Sequence, residues 1–318
     1  MLSAAAMAAA ADPAKVLRIA SDDIVSLDPQ QPGDIASTRI AVNLFEALYR
    51  YGYFAEPAVP LPDAAAALPT VTDDGRTWKI PLRRGILFVD DPAFHGQPRE
   101  LVAADYVYAL ERAMDPHLRS GGDAALVALI DGARAWVNAA RAPSARTDYD
   151  HPPDGLQAPD RHTLVIHLTH ADYTLPDRLT SLETMAVARE VVEASGADIL
   201  HHPVGTGPYR LVSWRPSSQL VLEANPRYAS FAFPEGGNAH EQAIAHPMAG
   251  VKLPQIGRVE VAIIEEAKAR LLAFERGDLD YLALAGDDAA AVIDHGALAP
   301  ARGAVLILSC FPINLSNT

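Results

Sequence analysis

The clearest pattern of hydrophobic and polar positions lies between 203 and 228, where two short apolar stretches flank a polar break. A Gly-Thr-Gly-Pro turn at 205–208 opens the first stretch, because the glycines allow a sharp turn and the proline then fixes one φ. Apolar residues recur in 209–214, and in 219–223 Leu220 and Leu222 alternate with Gln219, Val221 and Glu223. The pattern predicts a β-hairpin. We assign a structural role to its opening residues, Gly205, Thr206, Gly207, Pro208 and Tyr209.

Apolar residues at three- and four-residue spacing predict the helices. Ile40, Leu44 and Leu48 follow Asp34, a favourable N-cap residue, and Gly52 stands just past the pattern. A helix is therefore predicted from Asp34 to the residues before Gly52. Further helices are predicted at 101–114, 124–140, 176–182, 188–195 and 265–276.

Short alternating or apolar stretches predict the remaining strands. The stretch 16–20 is predicted to be a buried strand, and 77–83 a strand at a sheet edge, because Pro81 cannot donate a ladder hydrogen bond. The segment 229–254 has no clear period and is predicted to be a long surface loop. Together these elements predict an α/β, or mixed α+β, fold. Other strands are predicted at 163–168, 259–263, 278–284 and 305–311.

The hairpin carries a more specific signal. A Gly-Thr-Gly-Pro turn, a strand ending at Trp214, a second apolar strand and an Asn-Pro-x-Tyr stop at 225–228 stand in that order. As a set they closely resemble the signature of family 5 of the bacterial extracellular solute-binding proteins, which serve peptide-type ABC importers. A phosphate-binding loop does not fit, since a strand rather than a helix follows the glycines.

The resemblance extends along most of the chain. Matching segments are the Leu-Asp-Pro loop at 27–29, the end of the predicted helix at 44–49, the strand series at 75–88 and the helix and strand at 271–280. One segment departs from the family. Where its members have Ser-Pro followed by an aromatic residue expected to face the cleft, this chain has Ser-Gly-Gly at 120–122.

The resemblance implies a two-lobed fold like that of type II periplasmic binding proteins. Family members continue beyond the strand near 305–318, so we expect a truncated chain with the first lobe present and the second largely missing. We also expect such a chain to bind ligand weakly or not at all. The implied domains are a residual signal peptide (1–11), a core lobe I subdomain (12–45 and 162–285), an inserted lobe I subdomain (46–161), and the crossover with the start of lobe II (286–318).

The function implied by the resemblance is solute binding for a peptide-type ABC importer, without catalysis. A solute, with oligopeptides and dipeptides as the leading class, would be held between the lobes by strand-like backbone pairing and passed to an inner-membrane permease. The protein would act as a monomer and touch the membrane only through that complex. The expected ligand-facing residues are Ser26, Leu27, Asp28, Ala283, Leu284, Ala285, Phe311, Ile313 and Asn314.

Alternatives remain open at this point. A secreted hydrolase or a sensory or interaction module could use the same two-lobed plan, and nickel chelates, opines and sugars are alternative ligands. For the loop at 26–28, a simple turn with Asp28 before Pro29 explains the residues as well as ligand contact does.

The charge balance excludes one class of partner. The 318 residues include 40 acidic and 26 basic residues, for a net charge of −14. This charge repels phosphate backbones, so we expect no nucleic-acid partner. The single cysteine, Cys310, cannot form an intramolecular disulfide and is predicted to be a small buried apolar residue.

The N-terminal segment bears on location. Residues 1–11 are uncharged and rich in alanine, and they end in Ala-Ala-Ala before Asp12-Pro13. This resembles the end of a secretory signal peptide with its cleavage site, although the basic start is missing. We predict a trimmed signal peptide and a periplasmic protein, with an alanine-rich leader as the alternative.

The eleven histidines form no recognisable metal motif. His240-Glu241 is followed by His246, a spacing of six where the zinc-protease helix needs four. His201 and His202 are adjacent and would point to opposite faces of a strand. We therefore predict neither metal nor cofactor. The sequence also lacks a Gly-x-Ser-x-Gly elbow, so no catalytic residue is predicted.

Overall fold

The computed structural model describes residues 11–118, 122–229 and 231–283, together with the backbone of Leu284 and of 305–308. Strands and helices are mixed along this part of the chain. The strands are β1 (Asp12–Ser21), β2 (Tyr49–Tyr51), β3 (Pro60–Pro62), β4 (Thr70–Thr72), β5 (Thr77–Pro81), β6 (Leu156–Asp160), β7 (Thr163–His167), β8 (Tyr209–Arg215), β9 (Gln219–Ala224), β10 (Ile256–Ile263), β11 (Tyr281–Leu284) and β12 (Val305–Leu308). The α-helices are α1 (Ile35–Ala41), α2 (Ala103–Met114), α3 (Ala124–Leu129), α4 (Ala133–Ala140), α5 (Leu175–Arg178), α6 (Arg189–Ser195), α7 (Ala239–Ala245) and α8 (Ala267–Glu275).

The chain forms two compact units. The larger unit comprises 25–210 and 225–254, and the smaller unit comprises 11–24, 211–224 and the described residues after 254. The predicted division into lobe I subdomains follows other boundaries and stays a prediction. Residues 1–10 of the predicted signal segment and most of the predicted crossover lie outside the described residues.

The larger unit contains an antiparallel sheet with the strand order β4-β5-β7-β6. Trp78 of β5 pairs with Ile166 of β7, and Ile80 pairs with Leu164, and all four side chains are buried. The predicted alternation is thereby confirmed. The edge position predicted for β5 is wrong, because Pro81 is the last residue of a strand with neighbours on both sides.

The hydrophobic core of the larger unit lies between this sheet and α2. Tyr106, Leu110 and Met114 of α2 are buried in the same cluster as Trp78 and Ile166. The three helix positions recur at four-residue steps, which places them on one face and explains why α2 forms where a helix was predicted. The Asp105 carboxylate accepts a hydrogen bond from the Val102 N–H at 2.8 Å and so caps the first turn.

The predicted turn at 205–209 lies directly against the backbone of 43–45. The Gly207 N–H donates to the Leu44 carbonyl at 3.0 Å, and the Tyr209 N–H donates to the Asn43 carbonyl at 3.0 Å. A Cβ on Gly207 would lie 2.6 Å from the Leu44 carbonyl carbon and 2.7 Å from the Phe45 nitrogen. Only glycine permits this approach of two backbones.

This contact also explains where α1 ends. Asp34 caps the helix as predicted, since its carboxylate accepts from the Ser37 N–H at 2.6 Å. The helix predicted to run towards Gly52 is wrong beyond Ala41. The carbonyls of 43 and 44 hydrogen-bond to the turn, so they are not available to a continuing helix. Leu44 and Leu48 are nevertheless buried, because the apolar spacing serves a non-helical core segment.

The smaller unit contains a sheet with the order β1-β10-β9-β8. β1 runs parallel to β10, β10 runs antiparallel to β9, and β8 lies beside β9. The predicted hairpin is therefore confirmed as β8 and β9. The strand predicted at 16–20 is present within the longer β1, but its predicted burial is wrong, because Val16 is 38% exposed.

Two further helix predictions need correction. The helix predicted at 124–140 is two helices, α3 and α4, because Gly132 adopts a φ of 74° that an α-helix does not allow. The segment 229–254, predicted as a loop, contains α7. Its N-cap is Asn238, whose side chain accepts from the His240 and Glu241 N–H groups at 3.0 Å each.

The backbone contact at 205–209 yields a stability prediction. Gly207→Ala should destabilise the fold by about 1–3 kcal/mol or more, because the new Cβ would overlap backbone atoms that cannot rotate away. Gly237→Ala is the matched control, since a Cβ there meets only the Glu241 Oε2 at 3.4 Å. Urea unfolding measures both variants. Equal midpoints for the two alanine variants would contradict the structural role of the turn.

Candidate functional site

The loop at 26–28, predicted to face a ligand, is buried in the larger unit. Ser26, Leu27 and Asp28 are each at most 1% exposed. The loop shape is set locally, since the Ser26 Oγ accepts from the Asp28 N–H at 3.1 Å and the Asp28 Oδ1 accepts from the Gln30 N–H at 3.2 Å. The Ser37 Oγ of α1 accepts from the Ser26 N–H at 3.3 Å. The loop is thus fixed to the helix that follows it.

The Asp28 carboxylate forms a bidentate salt bridge with the Arg112 guanidinium of α2. The Arg112 NH1 and NH2 groups donate to Asp28 Oδ1 and Oδ2 at 3.0 and 2.7 Å. NH1 also donates to the Gln30 Oε1 at 2.6 Å. Burial lowers the pKa of Arg112, but the attraction of Asp28 outweighs this and raises it, so the arginine stays charged. Parallel N–H···O bonds of this kind fix orientation as well as position.

A second set of hydrogen bonds ties the same loop to the segment at 183–185. The Gln30 Nε2 donates to the carbonyls of Glu183 and Met185 at 3.1 and 2.9 Å, and the Gln31 Nε2 donates to Asp28 Oδ2 at 2.7 Å. The loop with its following glutamines, helix α2 and the segment at 183–185 are therefore joined by Asp28 and Gln30. The arrangement supports the loop rigidly. Whether Ser26, Leu27 and Asp28 contact a ligand stays a prediction.

Sequence reasoning missed Arg112. Its partner Asp28 lies 84 positions away, and no local pattern connects the two. A signal does exist in the sequence, because Arg112 lies inside the predicted helix at 101–114, close to the apolar Leu110, Ala113 and Met114. Such a charge is buried only with a partner, so its position indicates a nearby carboxylate.

The other predicted ligand-facing segment lies in the smaller unit. Ala283 and Leu284 belong to β11, which pairs in parallel with β12, and Ala283 is exposed. Ala285 lies outside the described residues. The same holds for the remaining candidates and for the cysteine: Phe311, Ile313, Asn314 and Cys310.

A second buried carboxylate, Glu46, lies just after the segment that receives the 205–209 turn. Glu46 is only 3% exposed. Burial raises the pKa of Glu46 to about 8, and repulsion by Asp63 adds to the effect, while Arg83 opposes it. The Tyr106 hydroxyl of α2 donates to the Glu46 carbonyl at 3.2 Å. Glu46 is therefore largely protonated at neutral pH.

Two features are absent from the described ranges. Within them, no three His, Cys, Asp or Glu side chains are grouped so that they could hold a metal ion. Among the helices of these same residues, none has the length and apolar content that a bilayer crossing requires.

Comparison with known proteins gives a family match over most of the chain. The model of the bacterial extracellular solute-binding proteins, family 5 middle, matches residues 59–317. Among curated proteins, the glutathione-binding protein GsiB of Escherichia coli O1:K1 is 25% identical over 264 residues, which are 82% of this chain and 44% of that protein. Protein XP55 of Streptomyces lividans is 32% identical over 169 residues, 52% of this chain and 25% of that protein. The chain spans less than half the length of these relatives.

Solved structures agree with the fold. The pheromone receptor PrgZ matches with a TM-score of 0.67 at 21% identity, covering 88% of this chain and 49% of the receptor. Listeria monocytogenes OppA bound to peptide matches with a TM-score of 0.68 at 18% identity, covering 88% of this chain and 48% of OppA. These matches confirm the predicted mixed α/β fold of the periplasmic peptide-binding kind over about half of those chains.

The Asp28–Arg112 pair yields a prediction about stability. Arg112→Met should cost about 3–5 kcal/mol, because it leaves the Asp28 carboxylate buried without a cation. Adding Asp28→Asn removes that isolated charge, so the double variant should be more stable than Arg112→Met alone. Urea unfolding followed by circular dichroism measures both. Arg134→Met, at an exposed position of α4, is the control. A double variant less stable than Arg112→Met would contradict the pairing.

Glu46 yields a prediction about pH. An acid whose folded pKa lies above its unfolded value costs stability as pH rises between the two, here from 4.5 to about 8. Glu46→Gln removes this cost and should stabilise the protein by roughly 2–4 kcal/mol at pH 8 and by little at pH 4. Urea midpoints at the two pH values test this. Exposed Glu235→Gln should change neither midpoint. An equal effect of Glu46→Gln at both pH values would refute the assignment.

Proposed function

Because this chain belongs to family 5 of the bacterial extracellular solute-binding proteins, we propose that it serves a peptide-type ABC importer as its solute-binding component. The family match over residues 59–317 carries the proposal. The family is defined by solute binding, and on this ground the prediction that the chain is not an enzyme is confirmed. The proposed ligand is an oligopeptide or dipeptide, which the protein captures and releases chemically unchanged.

The described residues support a rigid receptor. The loop at 26–28 is held by the Arg112 network, and β11 is held by parallel pairing with β12. Since the loop is buried, we assign it a supporting role and give direct ligand contact to β11, where Ala283 is exposed. Segments fixed before binding lose little conformational entropy when a ligand arrives.

Backbone pairing is the proposed mode of recognition. A strand offers N–H and C=O groups at regular spacing, so an extended peptide can pair with it whatever its side chains are. GsiB is named for glutathione and OppA was solved with peptide. Both ligands contain peptide-like amide groups, and both names are consistent with this mode of recognition. We further propose a periplasmic location, a monomeric state and release of the solute to an inner-membrane permease.

The function is tested by calorimetric titration of the purified chain with trialanine and with trialanine methylated on its backbone nitrogens. The expectation that a truncated chain binds weakly or not at all is untested, and the paired β11 leads to the opposite expectation. Trialanine should bind saturably and should be recovered intact by mass spectrometry. Peptides with other side chains should bind with similar affinity. N-methylation should weaken binding about tenfold or more, since each methyl group removes one backbone hydrogen bond.

A matched pair of variants locates the contact. Ala283→Arg should weaken trialanine binding, and Ala142→Arg, also at an exposed alanine, should not. Equal affinity for methylated and unmethylated peptide would overturn backbone recognition. Cleavage of the peptide, or the absence of saturable binding, would overturn the proposed function.

A further inference from the structure

A pocket of about 390 Å³ lies beside α2, wholly within the larger unit. Its inner surface includes Val107, Glu111 and Leu156, which are buried, and Ala104 and Ala158 are exposed at its mouth. A volume of this size accommodates a small organic molecule. The remaining lining residues are Arg99, Asp105, Tyr108, Tyr149, Pro152 and Arg189.

The two arginines that line this pocket already have partners. Arg99 donates to Asp105 at 2.6 and 3.0 Å and to Glu190 at 2.6 Å. Arg189 donates to Glu193 at 2.6 Å and lies 2.7 Å from Asp150. These two cations therefore face four carboxylates before Glu111 is counted. Both arginines of the lining are therefore already neutralised, which disfavours an anionic ligand.

Glu111 differs from these paired carboxylates. It is 2% exposed, and its Oε1 has no hydrogen-bond partner among the described residues. Burial raises the pKa of Glu111 to about 8, with Arg189 opposing and Asp148 and Asp150 adding to the rise. Buried carboxylates are normally paired or hydrogen-bonded, and an apolar residue in this position would avoid the cost. Glu111 thus provides an unused acceptor in the wall of the pocket.

Aromatic rings form the neighbouring wall. The rings of Tyr108 and Tyr149 lie 5.1 Å apart at 67°. The guanidinium carbons of Arg189 and Arg112 lie 5.7 and 6.0 Å from the centre of the Tyr108 ring, so this ring already attracts cations. Aromatic faces attract cations and pack against hydrocarbon chains. An acceptor without a partner, aromatic rings and the absence of an unpaired arginine in the lining together favour a positively charged ligand with a short apolar part.

We propose that this pocket binds a small organic ammonium ion, with its nitrogen on the Glu111 carboxylate and its hydrocarbon part against Tyr108, Tyr149 and Leu156. The pocket belongs to the larger unit, and the strand proposed for peptide recognition belongs to the smaller unit. Its ligand chemistry could come from a free amine or from the N-terminal amine of a peptide.

The test is calorimetric titration with n-butylammonium, with butan-1-ol and butyrate as neutral and anionic counterparts. At pH 9 the amine should bind saturably and the two counterparts should not. At pH 6 Glu111 is protonated, so the affinity for the amine should fall about tenfold or more. Burial raises the pKa of Tyr108 to about 12, so this tyrosine does not titrate in the range.

Variants separate this proposal from a merely apolar pocket. Glu111→Gln keeps the shape, removes the charge and should lower the affinity for n-butylammonium at pH 9 about tenfold or more. Tyr108→Leu should lower it as well. Exposed Glu235→Gln should leave it unchanged, and thermal melts verify that each variant is folded.

A last comparison distinguishes the two sources of the amine. Alanylalanine binding that is lost on N-acetylation and on Glu111→Gln would assign the pocket to peptide N-termini, and n-butylammonium binding without alanylalanine binding would assign it to free amines. No saturable amine binding at pH 9, or equal affinity in Glu111→Gln, would overturn the proposal. Trialanine also carries an N-terminal amine, so N-acetylated trialanine, which has no amine for this pocket, is used to report β11 alone, and the two proposals can then fail separately.

Discussion

The larger unit depends on the approach of two backbones, the turn at 205–209 and the segment at 43–45. Two main-chain hydrogen bonds join them, and they form only because Gly207 carries no side chain. Asn225 extends the contact, since its side chain donates to the Gly207 carbonyl at 2.9 Å. Residues near the start of the chain are thereby fixed to residues that follow much later. The end of α1 follows from this contact, and the buried Glu46 comes directly after it in the chain.

Helix α2 contacts three parts of the larger unit through different side chains: the hydrophobic core, the loop at 26–28 and the pocket. Tyr106, Leu110 and Met114 supply the core, while Arg112 fixes the loop at 26–28 through Asp28. Glu111, adjacent in sequence to Arg112, lines the pocket. A rotation or shift of α2 would disturb the core, the loop and the pocket together. The ion pair therefore acts mainly as a positional restraint, since the net stabilisation from a buried pair is small once desolvation is counted.

Local patterns predicted those parts of the fold that depend on local interactions. The hairpin of β8 and β9, strands β5 and β7 and helix α2 all follow from residue spacing within a few positions. The end of α1 could not be predicted in this way, because the hydrogen bonds that replace the helix come from distant residues. Helix α7 could have been found, since Asn238 followed by Glu241 is an N-terminal capping pattern. The site was harder to predict, because Asp28 and Arg112 meet only after the chain has folded.

Two buried carboxylates, one on α2 and one bonded to it, show why sequence alone could not distinguish a residue that stabilises the fold from one that binds a ligand. Asp28 and Glu111 are both almost fully buried. Asp28 forms a bidentate pair with the Arg112 guanidinium, whereas one carboxylate oxygen of Glu111 has no hydrogen-bond partner in the described chain. The difference lies in the cations nearby, because Arg112 is directed to Asp28, and Arg189 is already shared between Glu193 and Asp150. A paired carboxylate lowers the cost of its own burial, and an unpaired one retains that cost until a cation arrives. The same side-chain chemistry therefore stabilises the fold in one place and leaves a binding site in the other.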